Sequence, residues 1–445
     1  MISLHRYAIG AAAALLVGCG SVSQLPIATP QVDTQFPPSS GSRAVNEAGR
    51  YSLVYALRPR DGESPYTLIY RKGVIFGETP IGGNDPSCSC GVVFKLTQAG
   101  EHSEYARLHV FSGGSNDGAD PTSLIATSSG SLYGTTAEGG GAGCTYSSYA
   151  GCGTIFKLTP TGSKYAYSIL YRFKGGDDGY GPALARDQKI TGTSTILGAA
   201  NGGEGGSAFL FKLVRSGNGY VKHVLWNFGR NPGRDGVDAP VVVDGAMYGT
   251  AYGNFGAYTY AYRFDSGHFT LLLKFRDSDA RKDGRDQRLT VSDAAGNIYG
   301  SAFGGLNRCF IGTQRTSCGL VFELVAAGGK YTERVLRRFL PGRDGWEPSV
   351  SAYDNGVLYG TTGFGGKACD ANSDGCGVVF ALSTATGKET VLYRFTGGVR
   401  GGCPCSNVLT SPSKNKLYGA SGGGHKGAGA IFQWFLQGKD AMNAI

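Results

Sequence analysis

The residues of this sequence that could do chemistry include two glycine-rich motifs near the C-terminus. Gly419-Ala420-Ser421-Gly422-Gly423 matches the G-x-S-x-G pattern that presents a nucleophilic serine at a strand-to-helix turn. Ser421, however, takes the place of a threonine in related segments of the chain, and no helix pattern follows it. Gly422, Gly424 and Gly427 fit G-x-G-x-x-G, again without the strand-to-helix context that phosphate binding needs. Neither motif therefore predicts a catalytic site.

Acids, bases and metal ligands form no recognisable constellation in the sequence. The six histidines are scattered, and no pair has metal-binding spacing. Five basic and four acidic residues nearly cancel between 276 and 288, which is typical of a solvated rim. Parts of the chain repeat, and no group of acids, bases and nucleophiles that differ from this repeat could act together at one site. We therefore expect no metal and no cofactor, and these residues favour a protein without enzymatic activity.

Ten of the eleven cysteines form close pairs along the chain. The three wider pairs predict disulfides that staple loops of an exported protein. The two Cys-x-Cys pairs would close small, strained rings, so bonds to other partners stay an alternative. Zinc is the competing interpretation, but the usual ligand spacing is absent. The wider pairs are Cys144/Cys152, Cys309/Cys318 and Cys369/Cys376, and the narrow ones are Cys88/Cys90 and Cys403/Cys405.

The odd cysteine, Cys19, follows Arg6 and an apolar run over residues 8–18, which is too short to span a bilayer and is typical of a signal peptide. Leu16-Val17-Gly18-Cys19 resembles the lipobox of bacterial lipoproteins. The resemblance implies a diacylglycerol on Cys19 and an exported, lipid-anchored protein of the Gram-negative outer membrane or cell surface. An ordinary secretory signal with a chance cysteine is the alternative.

Composition divides the chain into a tether and a folded domain. Residues 1–18 are the predicted signal, and the Pro-, Ser- and Thr-rich residues 19–49 a lipidated flexible tether. Residues 50–436 form the folded domain, and residues 437–445 a tail. The 41% hydrophobic content excludes a disordered chain, and 74 glycines without a three-residue period exclude collagen. The formal charge of +9 without a basic stripe predicts no nucleic-acid partner.

One unit recurs seven times along the folded domain. Each copy has an apolar run ending in glycine, such as LYGTT at 132–136, then a VFKL-like run, such as TIFKL at 154–158, and then a run such as LYRF at 170–173. An Asp-Gly turn followed by proline and a short apolar stretch leads into the next copy. These segments are short, rich in β-branched and aromatic residues, and bounded by turn residues, so four strands per unit are predicted.

Seven four-stranded units predict an all-β fold, a seven-bladed β-propeller. The run ending in Phe or Leu comes first at 51–57, whereas the last unit stops after its second run at 430–434. We therefore expect the N-terminal strand to complete the C-terminal blade. The repeated Tyr, Phe and Gly are expected to serve packing between blades.

The same pattern, LYGTT, GG, GTVFKL, LxxF and a DG turn with Pro, resembles the GloVer tandem repeat of choice-of-anchor surface proteins. The match is most specific over 132–173 and 358–395, and weakest near Leu197, which replaces the repeated Tyr. The resemblance implies an exported, surface-anchored, propeller-like protein. It brings no established activity with it.

Two aromatic residues break the repeat where a ligand could be bound. Tyr180 and Trp346 directly follow their Asp-Gly turns, where other copies carry no aromatic residue. Exposed there, they could stack on a sugar ring or hold a partner side chain, or each could cover a neighbouring loop. Strand alternation places these turns and the cysteine loops on one face, with short loops over the third and fourth blades.

The sequence thus favours a monomeric, lipid-anchored propeller that binds a glycan or a cell-envelope protein on its loop-bearing face. A polysaccharide-acting hydrolase or lyase is the first alternative, because propellers host such enzymes. A scaffold for envelope proteins is the second.

Overall fold

A computed structural model gives the fold of residues 51–436, and seven antiparallel sheets account for nearly all of its strands. Within that range, short segments lie outside the described residues: 84–87, 100–101, 142, 145–149, 191–194, 230–234, 254–257, 276–284, 304–307, 312–313, 329, 341, 343, 367–374, 403, 405–408, 411–414 and 424–426. The predicted signal and tether, with Cys19, and the predicted tail also lie outside them.

The strands follow one another blade by blade. Blade 1 has β2 Leu68–Arg71, β3 Val74–Thr79, β4 Val92–Ala99 and β5 His102–Val110. Blade 2 has β6 Gly118–Ala126, β7 Leu132–Gly139, β8 Thr154–Thr161 and β9 Lys164–Arg172. Blade 3 has β10 Asp178–Leu184, β11 Ile196–Gly203, β12 Phe209–Ser216 and β13 Gly219–Asn227. Blade 4 has β14 Gly236–Val237, β15 Val241–Val243, β16 Ala246–Gly253, β17 Tyr258–Asp265 and β18 His268–Phe275.

The remaining blades complete the ring. Blade 5 has β19 Arg285–Ser292, β20 Ile298–Phe303, β23 Leu320–Ala327 and β24 Lys330–Arg338, and its long loop carries the hairpin β21 Arg308–Ile311 and β22 Gln314–Ser317. Blade 6 has β25 Trp346–Asp354, β26 Val357–Phe364, β27 Val378–Ser383 and β28 Glu389–Arg394. Blade 7 has β29 Leu409–Thr410, β30 Lys416–Ser421 and β31 Ala430–Phe435, with β1 Tyr51–Ala56 as its outer strand.

The predicted seven-bladed propeller and its closure are confirmed. Strand β1 pairs antiparallel with β31, so Tyr51 lies opposite Trp434. Two details differ from the prediction: the first strand of blade 4 is split into β14 and β15, and the loop of blade 5 forms its own hairpin. Helical structure among residues 51–436, where described, is limited to short 3-10 turns, and no helix there is long and apolar enough to cross a membrane.

Apolar side chains between neighbouring blades form the core. In the described part of the chain, each of the seven blade-to-blade interfaces holds one buried cluster. The repeated glycine of the second strand lets a ring from the third strand approach its backbone. At Gly134, for example, an added Cβ would lie 2.3 Å from Cζ of Phe156. The expected structural role of these repeated residues follows from this contact.

At four turns that the structure describes, those of Asp61, Asp117, Asp178 and Asp344, the Asp-Gly turn is bonded to a neighbouring outer strand. Its carboxylate accepts a hydrogen bond from the outer strand, as from Tyr171 Oη to Asp178 at 2.6 Å and from Arg337 to Asp344 at 2.8 Å. The glycine of the turn lies against a buried threonine, since an added Cβ on Gly345 would lie 2.0 Å from Oγ1 of Thr362. The turn sequence therefore serves packing as well as chain reversal.

The proline after the turn joins neighbouring blades at the loop-bearing face. A glycine at the end of one blade's loop contacts the ring of the next blade's proline, and an added Cβ there would lie 2.5–2.8 Å from the proline Cδ. The pairs are Gly91 with Pro121, Gly153 with Pro182, Gly319 with Pro348, Gly377 with Pro404 and Gly429 with Pro65. The last pair extends the same joint across the point of ring closure.

Candidate binding site in the central channel

The first strands of the blades surround a central channel. Each is the inner strand of its sheet, and each contacts the inner strand of the blades beside it, including β2 against β29 across the closure. An isolated parallel bridge between Arg186 and Val241 makes this contact between blades 3 and 4. Side chains from distant parts of the sequence therefore meet at the channel.

Arg186 reaches from blade 3 to two other blades. Its Nη2 donates to the backbone carbonyls of Ala239, at 2.9 Å, in blade 4 and of Leu289 in blade 5. Its guanidinium also interacts electrostatically with Tyr66 of blade 1, and burial lowers the pKa of Arg186 although Asp238 opposes that shift. The side chain therefore lies deep among the inner strands of several blades.

Arg288 adds a second guanidinium beside the first. Its Nε lies 3.8 Å from Oδ2 of Asp238, and the two side chains keep 22% and 19% of their surface exposed. Burial alone would lower the pKa of Arg288, but Asp238, Tyr252 and Tyr66 together outweigh burial, and the pKa is raised. Thr250 and Tyr252 both donate hydrogen bonds to the same carboxylate oxygen of Asp238. Asp238 is thereby held in place as an acceptor within reach of solvent.

Carboxyl groups line the other side of the ring, in blades 1, 2 and 6. Burial raises the pKa of Glu78 to about 8, with the Thr67 hydroxyl lowering it and Asp120 raising it further. Burial and the charge of Glu138 raise the pKa of Asp120 to about 7, and burial raises the pKa of Glu347 to about 7. Near neutral pH these groups can donate as well as accept hydrogen bonds.

The cysteine loops hold the residues at the mouth of the channel. The backbone amides of Asp120, Gly181 and Glu347 donate to the carbonyls of Cys90, Cys152 and Cys318 of the preceding blade, at 3.0, 3.0 and 2.9 Å. Each of these three residues directly precedes the proline of the blade joint, and each has a positive φ of 55–58°. Fixing the loops therefore fixes the backbone from which Asp120 and Glu347 project.

Two of the expected disulfides are present among the described residues, Cys88–Cys90 and Cys144–Cys152. Cys318 and Cys376 are also disulfide-bonded. Their expected partners are Cys309, of which only the backbone is described, and Cys369, which lies outside the described residues. Cys403 and Cys405 also lie outside them.

The two candidate aromatic residues differ in position. Trp346 is only 3% exposed, and its ring stacks on Phe364 at 4.4 Å. The expected exposure of Trp346 is therefore wrong, because its strand neighbour covers the ring and the pair joins the core between blades 5 and 6. Tyr180 is half-buried over Gly202, where an added Cβ would lie 2.3 Å from its ring, and its part in binding stays a prediction.

Sequence reasoning missed the channel residues. The prediction of a solvated rim between 276 and 288 is wrong for Arg288, because this residue lies on β19 beside Asp238. Arg186 and Asp238 belong to different blades, so no spacing along the chain relates them. The usable signal was departure from the repeat: blade 1 carries Glu78 at the position after the repeated glycine, where blades 2 and 6 carry Thr135 and Thr361.

These features define a seven-bladed propeller with a polar channel. Arginines of blades 3 and 5 lie beside Asp238 of blade 4, and further carboxyl groups lie in blades 1, 2 and 6. The family model of the Gloeobacter/Verrucomicrobia repeat matches residues 239–442, which confirms the resemblance over that part of the chain. No curated protein sequence matches the chain significantly.

Several solved structures are similar to this chain at low sequence identity. The polysaccharide lyase Uly1 is 8% identical, with a TM-score of 0.47, over 84% of this chain and 90% of its own. A putative 6-phosphogluconolactonase from Bacteroides uniformis is 12% identical, with a TM-score of 0.45, over 76% and 86%. A sialidase from Trypanosoma rangeli is 12% identical, with a TM-score of 0.41, over 86% and 56%. These values show a likeness of fold alone.

Proposed function

We propose that this protein is a lipid-anchored, extracytoplasmic propeller that binds a glycan of the cell envelope or its surroundings at the loop-bearing mouth of its channel. The observation that carries the proposal is the convergence on one channel of polar side chains that the repeat does not require. Arg288 and Asp238 remain solvent-accessible there. Sugar hydroxyls both donate and accept hydrogen bonds, so a wall of both charges and of partly protonated carboxyls suits them.

The stapled loops support the same proposal. Binding sites on rigid scaffolds are concentrated in loops held by a fixed framework. The amides of Asp120 and Glu347 are fixed by carbonyls of disulfide-bonded cysteines, so the mouth is preorganised before a ligand arrives. Preorganisation lowers the entropic cost of binding.

The test is binding of the oxidised full-length protein, purified in detergent, to a polysaccharide array. Glu347→Gln and Tyr180→Ala alter the mouth, and Arg172→Gln alters an exposed side chain of an outer strand as the matched control. Selective glycan binding that weakens in the two mouth variants and not in the control supports the proposal. If the wild-type protein retains no glycan, the glycan proposal fails, and protein partners of the envelope become the next search.

A polysaccharide-acting hydrolase or lyase is the second candidate function. The observation that favours it is that Asp120 and Glu347 are partly exposed at the mouth and have pKa values raised by burial to about 7, a range suited to general acid catalysis. Any glycan that binds should be incubated with the protein and examined for shorter products. Intact glycan after prolonged incubation contradicts the enzymatic candidate and leaves the binding function standing.

A further inference from the structure

Two guanidinium groups in the channel carry donors that no protein acceptor fills. Within the described part of the chain, Nε of Arg186 and Nε of Arg288 are both buried and lack a hydrogen-bond partner. The two groups are also close enough for the charge of Arg288 to disfavour the charged form of Arg186. A buried, unfilled donor on a charged group is costly, so such a pair favours an acceptor between its members.

The neighbouring carboxylates do not accept a hydrogen bond from either Nε in the described part of the chain. One oxygen of Asp238 receives hydrogen bonds from Thr250 and Tyr252, and it lies 3.8 Å from Arg288 Nε, beyond hydrogen-bond distance. Asp187 also interacts electrostatically with Arg186, but Asp187 is exposed to solvent. Glu78, Asp120 and Glu347 lie on blades 1, 2 and 6. Among the described residues, none of these carboxylates accepts a hydrogen bond from either Nε.

We infer that Arg186 and Arg288 bind the carboxylate of an acidic saccharide, such as a uronate, in the channel; this deepens the glycan-binding function proposed above and rests on it. The planar guanidinium matches a carboxylate in shape and can donate two hydrogen bonds to it. The half-buried phenol of Tyr66, which interacts electrostatically with both arginines, adds a hydrogen-bonding group for the sugar. Asp120 and Glu347 on the opposite side, which are partly exposed, then face sugar hydroxyls.

The probes are trigalacturonate and its methyl ester, which has nearly the same shape without the charge. Affinities for the oxidised full-length protein in detergent are measured by calorimetry for wild type, Arg288→Gln, Arg288→Lys and the control Arg172→Gln. We expect trigalacturonate to bind about tenfold or more tightly than the ester, and Arg288→Gln to remove that difference. Arg288→Lys should keep part of it, and Arg172→Gln all of it. Circular dichroism confirms that each variant is folded.

Sodium sulfate provides a probe that does not depend on sugar recognition. At equal ionic strength, sulfate should raise the melting temperature of wild type and Arg172→Gln more than that of Arg288→Gln. Equal affinity for acid and ester, or equal affinities of wild type and Arg288→Gln, overturns the carboxylate inference while glycan binding stands. Arg288-dependent sulfate stabilisation without any glycan binding supports an anion site and refutes the proposed glycan function. Loss of both effects refutes both proposals.

Discussion

At the scale of single residues, the glycine of the second strand shows how a repeated position is fixed by packing. A Cβ on residue 134 would lie 2.3 Å from Cζ of Phe156 and 2.7 Å from the carbonyl oxygen of Ser123. Neither the backbone nor the buried ring can move far. We expect Gly134→Ala to lower the free energy of unfolding by about 1–3 kcal/mol in urea titrations.

Gly219→Ala is the matched control, because Gly219 is exposed and an added Cβ there contacts only the carbonyl oxygen of Ser216, at 3.9 Å. That variant should change stability by no more than about 0.5 kcal/mol. Equal effects of the two substitutions would show that close packing against Phe156 does not explain the repeated glycine.

Glu78 makes a prediction about pH. Burial raises its pKa from 4.5 to about 8 in the folded protein, so between these values the folded state holds a proton that the unfolded state has released. The contribution of Glu78 to stability is therefore most favourable below about pH 4.5, declines as the pH rises towards 8, and is constant above it. Glu78→Gln removes this titration. The free energy of unfolding of Glu78→Gln minus that of wild type should therefore be greater at pH 8.5 than at pH 5, by roughly 2–4 kcal/mol.

The measurement is the difference in unfolding free energy between Glu78→Gln and wild type from pH 5 to 8.5. Taking the difference isolates Glu78 from Asp120 and Glu347, whose pKa values are also raised by burial. A difference that does not grow with pH would mean that the carboxyl titrates as an exposed group does.

At the scale of elements, the N-terminal strand closes the ring. Tyr51 in β1 stacks on Tyr393 of blade 6 at 4.0 Å, and its hydroxyl donates to the carbonyl of Arg400 at 2.9 Å. Deletion of residues 46–57 should therefore abolish accumulation of folded protein, since blade 7 keeps only three strands with an open edge. Tyr51→Ala, a milder change, should cost about 3–5 kcal/mol in denaturant titrations.

The control for the deletion is removal of residues 24–45 from the predicted tether, which should leave the melting temperature unchanged. Similar melting temperatures for the protein without residues 46–57 and the protein without residues 24–45 would contradict closure by β1. Both shortened proteins keep Cys19 and the predicted signal, so export does not differ between them.

Elements were predictable from the sequence because the repeat displays them seven times. The LYGTT and FKL runs alternate and end in turn residues in every copy, so β7 and β8 could be placed from residues alone. The split of the inner strand of blade 4 was not predictable, because the segment around Asp238 diverges from the other copies. The burial of Trp346 was not predictable for a related reason: only the register of β25 with β26 brings Phe364 opposite Trp346.

At the scale of the whole molecule, the channel is uneven although the blades are alike. Arginines project from blades 3 and 5 with Asp238 of blade 4 between them, whereas carboxyls lie in blades 1, 2 and 6. Closing the ring brings Tyr66 of blade 1 to the arginines, although more than a hundred residues separate it from Arg186. The repeat therefore builds the frame, and departures from it build the site.

The remaining whole-molecule prediction concerns attachment to the membrane. If Cys19 is lipidated, the acyl chains hold the protein in the membrane, because each buried methylene contributes about 0.8 kcal/mol to the partition. Wild type expressed in a Gram-negative host should incorporate labelled palmitate and sediment with membranes, whereas Cys19→Ser should do neither. Cys144→Ser, which alters a loop disulfide, is the control and should still be labelled. An unlabelled wild type recovered in the soluble periplasmic fraction would instead indicate an ordinary secretory signal, with the propeller released rather than displayed on a membrane.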